Sequence, residues 1–206
     1  MYKRQAVAGA ICAKYLAPNN IETIGIIGTG IQARMQLEYL KNVTDCRSAI
    51  VWGRSESVLD QYKISMADTD FIIETTKALE QVTDNCNLIV MCTASEKPLI
   101  EKDQIKGKIH ITAMGSDTPN KQELDSSVLS KADLIIADSR SQCEVRGEIH
   151  HAIRNKKVSM DSIVELGEII NGDRQGRTTG SKLTVADLTG VAVQDIQISK
   201  AVLHNL

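Results

Sequence analysis

The stretch Ile24-Gly25-Ile26-Ile27-Gly28-Thr29-Gly30-Ile31-Gln32-Ala33 predicts the fold of this chain. Its apolar start is typical of a buried strand, and an amphipathic run over 31–40 follows the glycines at once. A strand that turns tightly into a helix leaves backbone N–H groups facing outward, which suits a pyrophosphate. Gly28 allows the turn, Gly30 lets phosphates approach, and Ala33 lets helix and strand pack closely. The stretch therefore predicts a dinucleotide site, with a purely structural turn as the alternative. The expected contacts are Gly28, Thr29, Gly30, Ile31, Gln32 and Ala33.

Composition and charge narrow the class of protein. The chain has 206 residues, a formal net charge of −2 and a pI near 6.1, so no electrostatic field for nucleic acid is expected. No apolar run reaches the ~18 residues needed to span a membrane, and no signal-peptide pattern is visible. The five cysteines form no C-x-x-C pair, so we expect small buried residues or free thiols and no metal site. The expected protein is soluble and cytoplasmic, and binds neither nucleic acid nor membrane.

Predicted strands and helices alternate along the chain. The strands are expected at 23–27, 49–52, 70–73, 87–92, 109–113, 133–137 and 183–187. The helices are expected at 3–17, 31–42, 56–67 with Ser55 as N-cap, 77–82, 123–130, 140–155, 162–170 and 191–204. Strands that are apolar on both sides, each followed by a helix, indicate a parallel sheet covered on both faces. The predicted fold class is α/β, with a doubly wound Rossmann-type, mostly parallel sheet and helices on both faces.

Ligands of such a sheet bind at the carboxyl ends of its strands. Four loops are therefore expected to meet there: 28–33, 53–56, 93–98 and 113–121. Thr93, Ala94 and Ser95 are expected to line a cofactor cleft with small side chains, an ordinary loop being the alternative. Met114 and Gly115 begin the last of these loops and are expected to contact the cofactor as well.

The loop after the second strand bears on the choice of cofactor. In an NAD site an acid about 20 residues past the glycines binds the ribose hydroxyls. Here Gly53, Arg54 and Ser55 follow Trp52, and no acid stands at the strand end. A guanidinium and a hydroxyl suit a 2′-phosphate, so NADP(H) is favoured and NAD(H) remains possible. The alternative is that Arg54 is a solvated surface residue and Ser55 only a helix cap.

The loop after the fifth strand bears on chemistry. Asp117 lies at the strand end that would face a nicotinamide, where a carboxylate could pass a proton to or from a substrate amine or its water. Pro119 and Asn120 are residues that favour a tight turn, and Asn tolerates a left-handed backbone. A helix cap and turn without chemistry is the alternative from spacing alone.

Several separate motifs resemble the ornithine cyclodeaminase/mu-crystallin family over residues 4–204. Arg4 with the Ala-rich run to Ala17 is similar to the family helix that leads into the dinucleotide domain. Residues 28–33 look like its phosphate turn, and residues 115–124 resemble its G-x-D-x-P-G-K-x-E-L loop, with Asn120 in place of a Gly. Residues 165–177 match a further stretch, and residues 187–195 resemble the segment that returns beside the nicotinamide.

The resemblance implies a role for individual residues. Asp117 matches the catalytic carboxylate that handles a proton or water at the imine carbon, and Lys121 matches a lysine that contacts cofactor or substrate. Arg4 matches an arginine that binds the substrate carboxylate. Thr189, Gly190 and Val191 match the segment beside the nicotinamide.

The resemblance also implies an activity. The family interconverts amino acids with imines or ketimines through hydride transfer at the α-carbon, and includes ornithine cyclodeaminases, alanine dehydrogenases and imino-acid reductases. An NAD(P)(H)-dependent enzyme acting on a small amino acid or ketimine is therefore expected. The alternatives are an NADP(H)-binding protein without turnover, as in the crystallin branch, and another Rossmann dehydrogenase.

The resemblance suggests that the chain is one part of a longer protein. Relatives have a further N-terminal domain that contributes to the substrate pocket and to a homodimer interface. We accordingly expect residues 1–20 to be a lead-in helix from that domain, residues 21–190 to form the dinucleotide-binding domain, and residues 191–206 to be a helix that packs back toward it. Without such a domain, this chain is expected to bind the cofactor and to be inactive.

Overall fold

A computed structural model describes residues 2–191 together with Ile196, Gln197, Ser199, Lys200 and Leu203. Within this part the strands are β1 (Ile24–Ile27), β2 (Ser48–Trp52), β3 (Ile72–Thr76), β4 (Leu88–Met91), β5 (Ile109–Ala113), β6 (Leu134–Ala137), β7 (Ile163–Glu165) and β8 (Leu183–Asp187). The helices are α1 (Tyr2–Leu16), α2 (Ile31–Leu40), α3 (Glu56–Ser65), α4 (Leu79–Asn85), α5 (Ser126–Lys131), α6 (Arg140–Cys143), α7 (Glu148–Arg154) and α8 (Leu166–Ile170).

The strands form one sheet in the order β3-β2-β1-β4-β5-β8-β6-β7. Every pairing between these strands is parallel. The chain builds outward from β1 to β3 and then returns to β4 on the other side of β1. This reversal opens a crevice at the carboxyl ends of the strands. The predicted fold class, a doubly wound Rossmann-type sheet, is confirmed.

Alternate residues of the central strands enter two cores on opposite faces of the sheet. Ile24 and Ile26 of β1 join the core beneath α1, α2 and α3, whereas Ile27 joins the core beneath α4, α5 and α7. All residues of β1, β4, β5 and β8 are buried. Burial on both faces explains why these strands are largely apolar runs instead of alternating patterns.

The single helix predicted over 140–155 is wrong. Two helices, α6 and α7, are separated at Gly147, whose φ is 90°. A Cβ at Gly147 would lie 2.5 Å from Oδ2 of Asp187, so the break is where the chain passes close to the end of β8. The local hydrophobic pattern does not predict that Gly147 lies so close to Asp187.

The helix predicted over 162–170 is wrong in its first half. Residues Ile163–Glu165 form β7, which pairs with β6, and the helix begins only at Leu166. Ile163 is fully buried in one of the two cores. A three-residue strand is too short to show a period of two, so the sequence pattern cannot separate it from the helix that follows.

Further boundaries moved, among them those of the helix predicted over 77–82, which is Leu79–Asn85. The third strand is Ile72–Thr76 and not 70–73, and the helix expected from 123 begins at Ser126. Asp125 caps that helix, since its carboxylate accepts a hydrogen bond from the backbone N–H of Ser127 at 2.8 Å. Ser55 occupies the N-cap position of α3 but its side chain makes no capping hydrogen bond.

The helix predicted over 191–204 falls mostly outside the described residues. The described positions beyond 191 are helical. The division into segments 1–20, 21–190 and 191–206 stays a prediction. Within the described part of the chain, no helix combines the length and apolar composition needed to cross a bilayer.

Candidate functional site

The turn after β1 has the geometry that its glycines predict. Gly28 has a φ of 122°, and a Cβ there would lie 2.9 Å from the carbonyl oxygen of Cys92. Gly30 has an ordinary φ of −78°, yet a Cβ there would meet no described atom within 4 Å. Ala33, in the first turn of α2, is fully buried. Gly28 is therefore required by the turn, whereas Gly30 leaves open space at the N-terminus of α2.

The loops after β1, β2 and β4 enclose a cleft of about 530 Å³ at the carboxyl edge of the sheet. Its lining includes the predicted contacts Gly28, Thr29, Gly53, Arg54, Ser55, Thr93, Ala94 and Ser95, together with Trp52, Val58, Cys92 and Leu99. The Arg54 side chain is exposed at this edge. Three of the four loops that the sequence predicts to meet therefore form one cleft.

The fourth loop, after β5, joins this cleft through a buried carboxylate. Glu123 is fully buried and accepts hydrogen bonds from the backbone N–H of Thr93 at 2.6 Å and of Gly115 at 2.8 Å. The Thr93 hydroxyl also donates to it, at 2.8 Å. The two loops run so close together that a Cβ at Gly115 would lie 2.0 Å from the carbonyl oxygen of Thr93.

Asp117 and Lys121 form an ion pair on the same loop. Nζ of Lys121 lies 2.7 Å from Oδ1 of Asp117, and half of the Asp117 side chain is exposed. The carbonyl oxygen of Lys121 accepts hydrogen bonds from the Ser116 hydroxyl and from Nε2 of His151, the latter at 2.8 Å. Asp117 and Lys121 do not line the 530 Å³ cleft. They lie on the loop after β5, which Glu123 connects to the cleft.

The segment after β8 is held by Asp138. The Asp138 carboxylate accepts hydrogen bonds from the backbone N–H of Gly190 at 2.6 Å and from the hydroxyl of Thr189 at 3.1 Å. Arg4 donates from Nη1 to the carbonyl oxygen of Val191 at 2.9 Å. A narrow gap beside this segment is lined by Met114 and Gly190, with Gln5, Ala8, Asp138 and Leu188. The predicted substrate arginine and the predicted nicotinamide segment thus lie side by side.

Two glutamines of α2 make hydrogen bonds to α1. Nε2 of Gln32 donates to Oε1 of Gln5 on α1, while Nε2 of Gln36 donates to the Gln5 carbonyl oxygen at 2.9 Å. Ile31 is 46% exposed. The start of α2 is therefore anchored to α1, which also carries Arg4.

Sequence reasoning missed the buried acids of this region. Glu123, Glu148 and Asp187 are buried, and Asp138 is half-buried. Burial raises the pKa of Glu123 to about 7 and that of Asp187 to about 8, although backbone N–H donors oppose the rise. Burial likewise raises the pKa of Asp138 and, with nearby Asp187 and Glu123, that of Glu148. Glu148 and Asp187 adjoin apolar residues in the sequence, which is the one local signal of their burial.

Comparison with known proteins identifies the family and several relatives of this chain. The model of the ornithine cyclodeaminase/mu-crystallin family matches residues 2–206. An uncharacterized cyclodeaminase of Sinorhizobium fredii is 37% identical over 95% of this chain and 60% of its own length. The iminosuccinate reductase of Paracoccus denitrificans, solved in complex with NAD+, is 34% identical with a TM-score of 0.91, over 98% of this chain and 62% of the reductase.

A third relative carries both cofactor and ligand. The Δ1-pyrroline-2-carboxylate reductase of Thermococcus litoralis, solved with NADH and L-proline, has a TM-score of 0.89 and 25% identity, over 98% of this chain and 65% of that one. The chain thus spans less than two thirds of the length of these relatives. Because the family model covers nearly every residue and the described fold agrees with that of the relatives, the chain belongs to the ornithine cyclodeaminase/mu-crystallin family.

Proposed function

We propose that this chain binds a nicotinamide dinucleotide within an enzyme that interconverts a small amino acid and its imine. The observation that carries the proposal is the junction of the dinucleotide cleft with the Asp117 loop through Glu123. The Paracoccus reductase with NAD+ and the Thermococcus reductase with NADH and L-proline support the class of cofactor and of substrate.

The residues at the cleft suit a dinucleotide. The N-terminus of α2 points backbone N–H groups at the open space above Gly30, which a pyrophosphate would fill. The cleft over β1, β2 and β4 would receive the adenosine half, and the residues Met114 and 189–191 would adjoin the nicotinamide. When bound, the cofactor supplies or accepts the hydride.

The side chains of this chain would then handle the substrate. Asp117 would take up and return a proton at the substrate nitrogen or at a water, and Lys121 holds its carboxylate in place. Arg4 would present its guanidinium to the substrate carboxylate beside residues 190 and 191. A carboxylate near the substrate nitrogen also stabilises the positive charge that appears on the iminium.

The rim of the cleft favours NADP(H) over NAD(H). No acid stands at the end of β2, and the next one along the chain, Glu56, pairs with Nζ of Lys77 at 3.1 Å. Arg54 and the Ser55 hydroxyl remain on the rim to receive a 2′-phosphate. The Paracoccus reductase was solved with NAD+ and the Thermococcus reductase with NADH, so the titration compares both cofactors.

The proposal is tested with the protein as its gene encodes it. Titration with NADPH and NADH, followed by nicotinamide fluorescence, should show saturable binding with NADPH the tighter ligand. Turnover is then assayed against alanine, ornithine, lysine, proline and their cyclic or open imines. Clearly tighter NADH binding would overturn the cofactor preference, and saturable binding without turnover of any substrate would favour a binding protein over an enzyme.

A further inference from the structure

The loop that carries Asp117 has little regular secondary structure, so other groups must satisfy its backbone. Residues 114–125 contain no helix or ladder strand beyond a single bridge between Ile100 and Leu124. Buried N–H groups without partners are costly, so each one in this loop needs an acceptor. The acceptors for three of them are carboxylates from Glu123 and Glu148.

Glu123 sets the distance between two loops. Its two carboxylate oxygens are shared between Thr93, in the cleft, and Gly115, two residues before Asp117. Both backbone donors lie within 2.8 Å, and the side chain is fully buried. A carboxylate fixed by three donors cannot move without moving both loops, so it couples the wall of the cleft to the start of the Asp117 loop.

Glu148 holds the other end of that loop from a separate helix. Its carboxylate accepts hydrogen bonds from the backbone N–H of Glu123 at 2.8 Å and of Leu124 at 3.0 Å. His151, three residues later on the same face of α7, lies with Nε2 2.8 Å from the carbonyl oxygen of Lys121. The helix α7 therefore contacts the backbone of this loop at Lys121, Glu123 and Leu124.

Stability alone does not explain two buried carboxylates at this place. The charged groups that face Glu123 are Lys121, Glu148 and Asp187, and those that face Glu148 are Glu123 and Asp187. The balance is acidic, so the carboxylates oppose one another's charge, and buried ionic groups are weak contributors to stability. What they supply is directional: several fixed acceptors aimed at loop N–H groups.

We propose that Glu123 and Glu148 are positioning residues that hold Asp117 at a defined place beside the dinucleotide cleft, without touching substrate themselves. The proposal rests on the function proposed above for its effect on turnover, whereas its effect on the loop is independent of that function. Shifts of the reacting groups by about 1 Å cost on the order of a hundredfold in rate, so such anchoring is of catalytic consequence.

The test uses Glu123→Gln and Glu148→Gln in the protein as its gene encodes it. Glutamine keeps the volume but turns one acceptor oxygen into an N–H₂ donor, which faces a backbone N–H. We expect kcat to fall by about ten- to a hundredfold in both variants. The KM for the cofactor should stay within about twofold in Glu148→Gln, which touches only the loop. Glu123→Gln also loses an anchor of Thr93 in the cleft, so its cofactor KM is expected to rise as well. Amide hydrogen exchange should become faster at residues 115–124.

Asp133→Asn is the matched control. Asp133 also accepts hydrogen bonds from two consecutive backbone N–H groups, those of Lys182 at 2.7 Å and Leu183 at 2.8 Å, but at the amino end of β8 and in a more exposed position. This variant should lose stability while kcat and exchange at 115–124 stay unchanged. Thr93→Val removes the hydroxyl donor to Glu123 and the acceptor for the backbone N–H of Ser95 at 3.2 Å, and should lower kcat by less than the glutamine variants do.

The outcomes separate the two proposals. Unchanged exchange at 115–124 in both glutamine variants would overturn the positioning role, as would a fall in kcat equally large in Asp133→Asn. If a glutamine variant does not fold, Thr93→Val decides in its place, and an unchanged kcat there counts against the role. If the unmodified protein turns over no substrate, the proposed function fails, and the exchange measurement alone then judges the positioning role.

Discussion

Asp117 and Lys121 face each other across 2.7 Å at the carboxyl edge of the sheet, between Oδ1 and Nζ, four residues apart on the loop after β5. Both side chains are partly exposed, and pairs of this kind add only about 0–1 kcal/mol to stability. In the proposed function, Lys121 orients the Asp117 carboxylate. Removing the charge of Asp117 should therefore affect chemistry far more than folding.

Asp117→Asn should lower kcat by about a hundredfold or more, because the amide cannot accept and return the proton. Cofactor affinity, measured by nicotinamide fluorescence, should stay unchanged because Asp117 does not line the cleft. Asp60→Asn on the exposed side of α3 is the control for loss of one negative charge. Near-normal turnover in Asp117→Asn would remove this residue from the mechanism.

Gly30→Ala should weaken cofactor binding by about tenfold or more while leaving the fold intact. A Cβ at Gly30 meets no described atom within 4 Å and its φ suits any residue, so unfolding free energy should change by no more than about 1 kcal/mol. The same Cβ occupies the space where the pyrophosphate would approach. Gly167→Ala, also without a described neighbour within 4 Å, should change neither quantity much. Titration and thermal unfolding of both variants check this, and full affinity in Gly30→Ala would argue for a purely structural turn.

Arg54→Gln should weaken NADPH binding by about ten- to a hundredfold and leave NADH binding nearly unchanged, because only NADPH offers a 2′-phosphate to the guanidinium. Arg34→Gln on α2, whose side chain does not line the cleft, is the matched control. Parallel titrations of the two variants with both cofactors provide the measurement. An equal loss for NADPH and NADH would assign Arg54 a general electrostatic role.

His110 makes stability depend on pH in the acid range. It is fully buried in β5, with Nδ1 2.8 Å from the Thr184 hydroxyl and Nε2 3.0 Å from the Thr112 hydroxyl. Burial, together with the positive charge of Arg177, lowers its pKa from 6.5 to about 3. Below pH 6.5 the unfolded chain takes up a proton at this histidine, whereas the folded chain does not. The contribution of neutral His110 to the free energy of unfolding is therefore fully present above pH 6.5 and is lost as the pH falls toward 3.

Between pH 6.5 and about pH 3, the free energy of unfolding should fall by about 1.4 kcal/mol for each pH unit because of His110. His110→Gln keeps a donor and an acceptor for the two threonines. In this variant the free energy of unfolding should lack the dependence on pH that His110 contributes. Urea unfolding at several pH values between 4 and 8 compares the two proteins. Because Glu123 and Asp187 have raised pKa values and contribute with the opposite sign, the difference between variant and unmodified protein is the decisive quantity. Parallel curves for the two proteins would contradict the prediction.

The fold class and most of the loops at the site were predictable because they depend on local rules. The glycine turn needs its φ of 122° at Gly28, and the apolar runs of β1 and β4 follow from burial on both faces. Strand ends in a parallel sheet meet at one edge, so residues 28–29, 53–55 and 93–95 were expected together and do line one cleft. The boundaries of the strands, and short elements such as the three-residue strand β7, could not be predicted from these local patterns.

By itself, the amino-acid sequence determined the strand–turn–helix unit at 24–33, the alternation of strands and helices, and the motifs shared with the family. Only the tertiary structure decided that β8 inserts between β5 and β6, that Gly147 breaks a helix against Asp187, and that Glu148 supports the backbone at Glu123. The physical reason is distance along the chain. Turns and periodicity are set by neighbours within a few residues, whereas a buried carboxylate is satisfied by N–H groups from remote segments that only the completed sheet brings within hydrogen-bond reach.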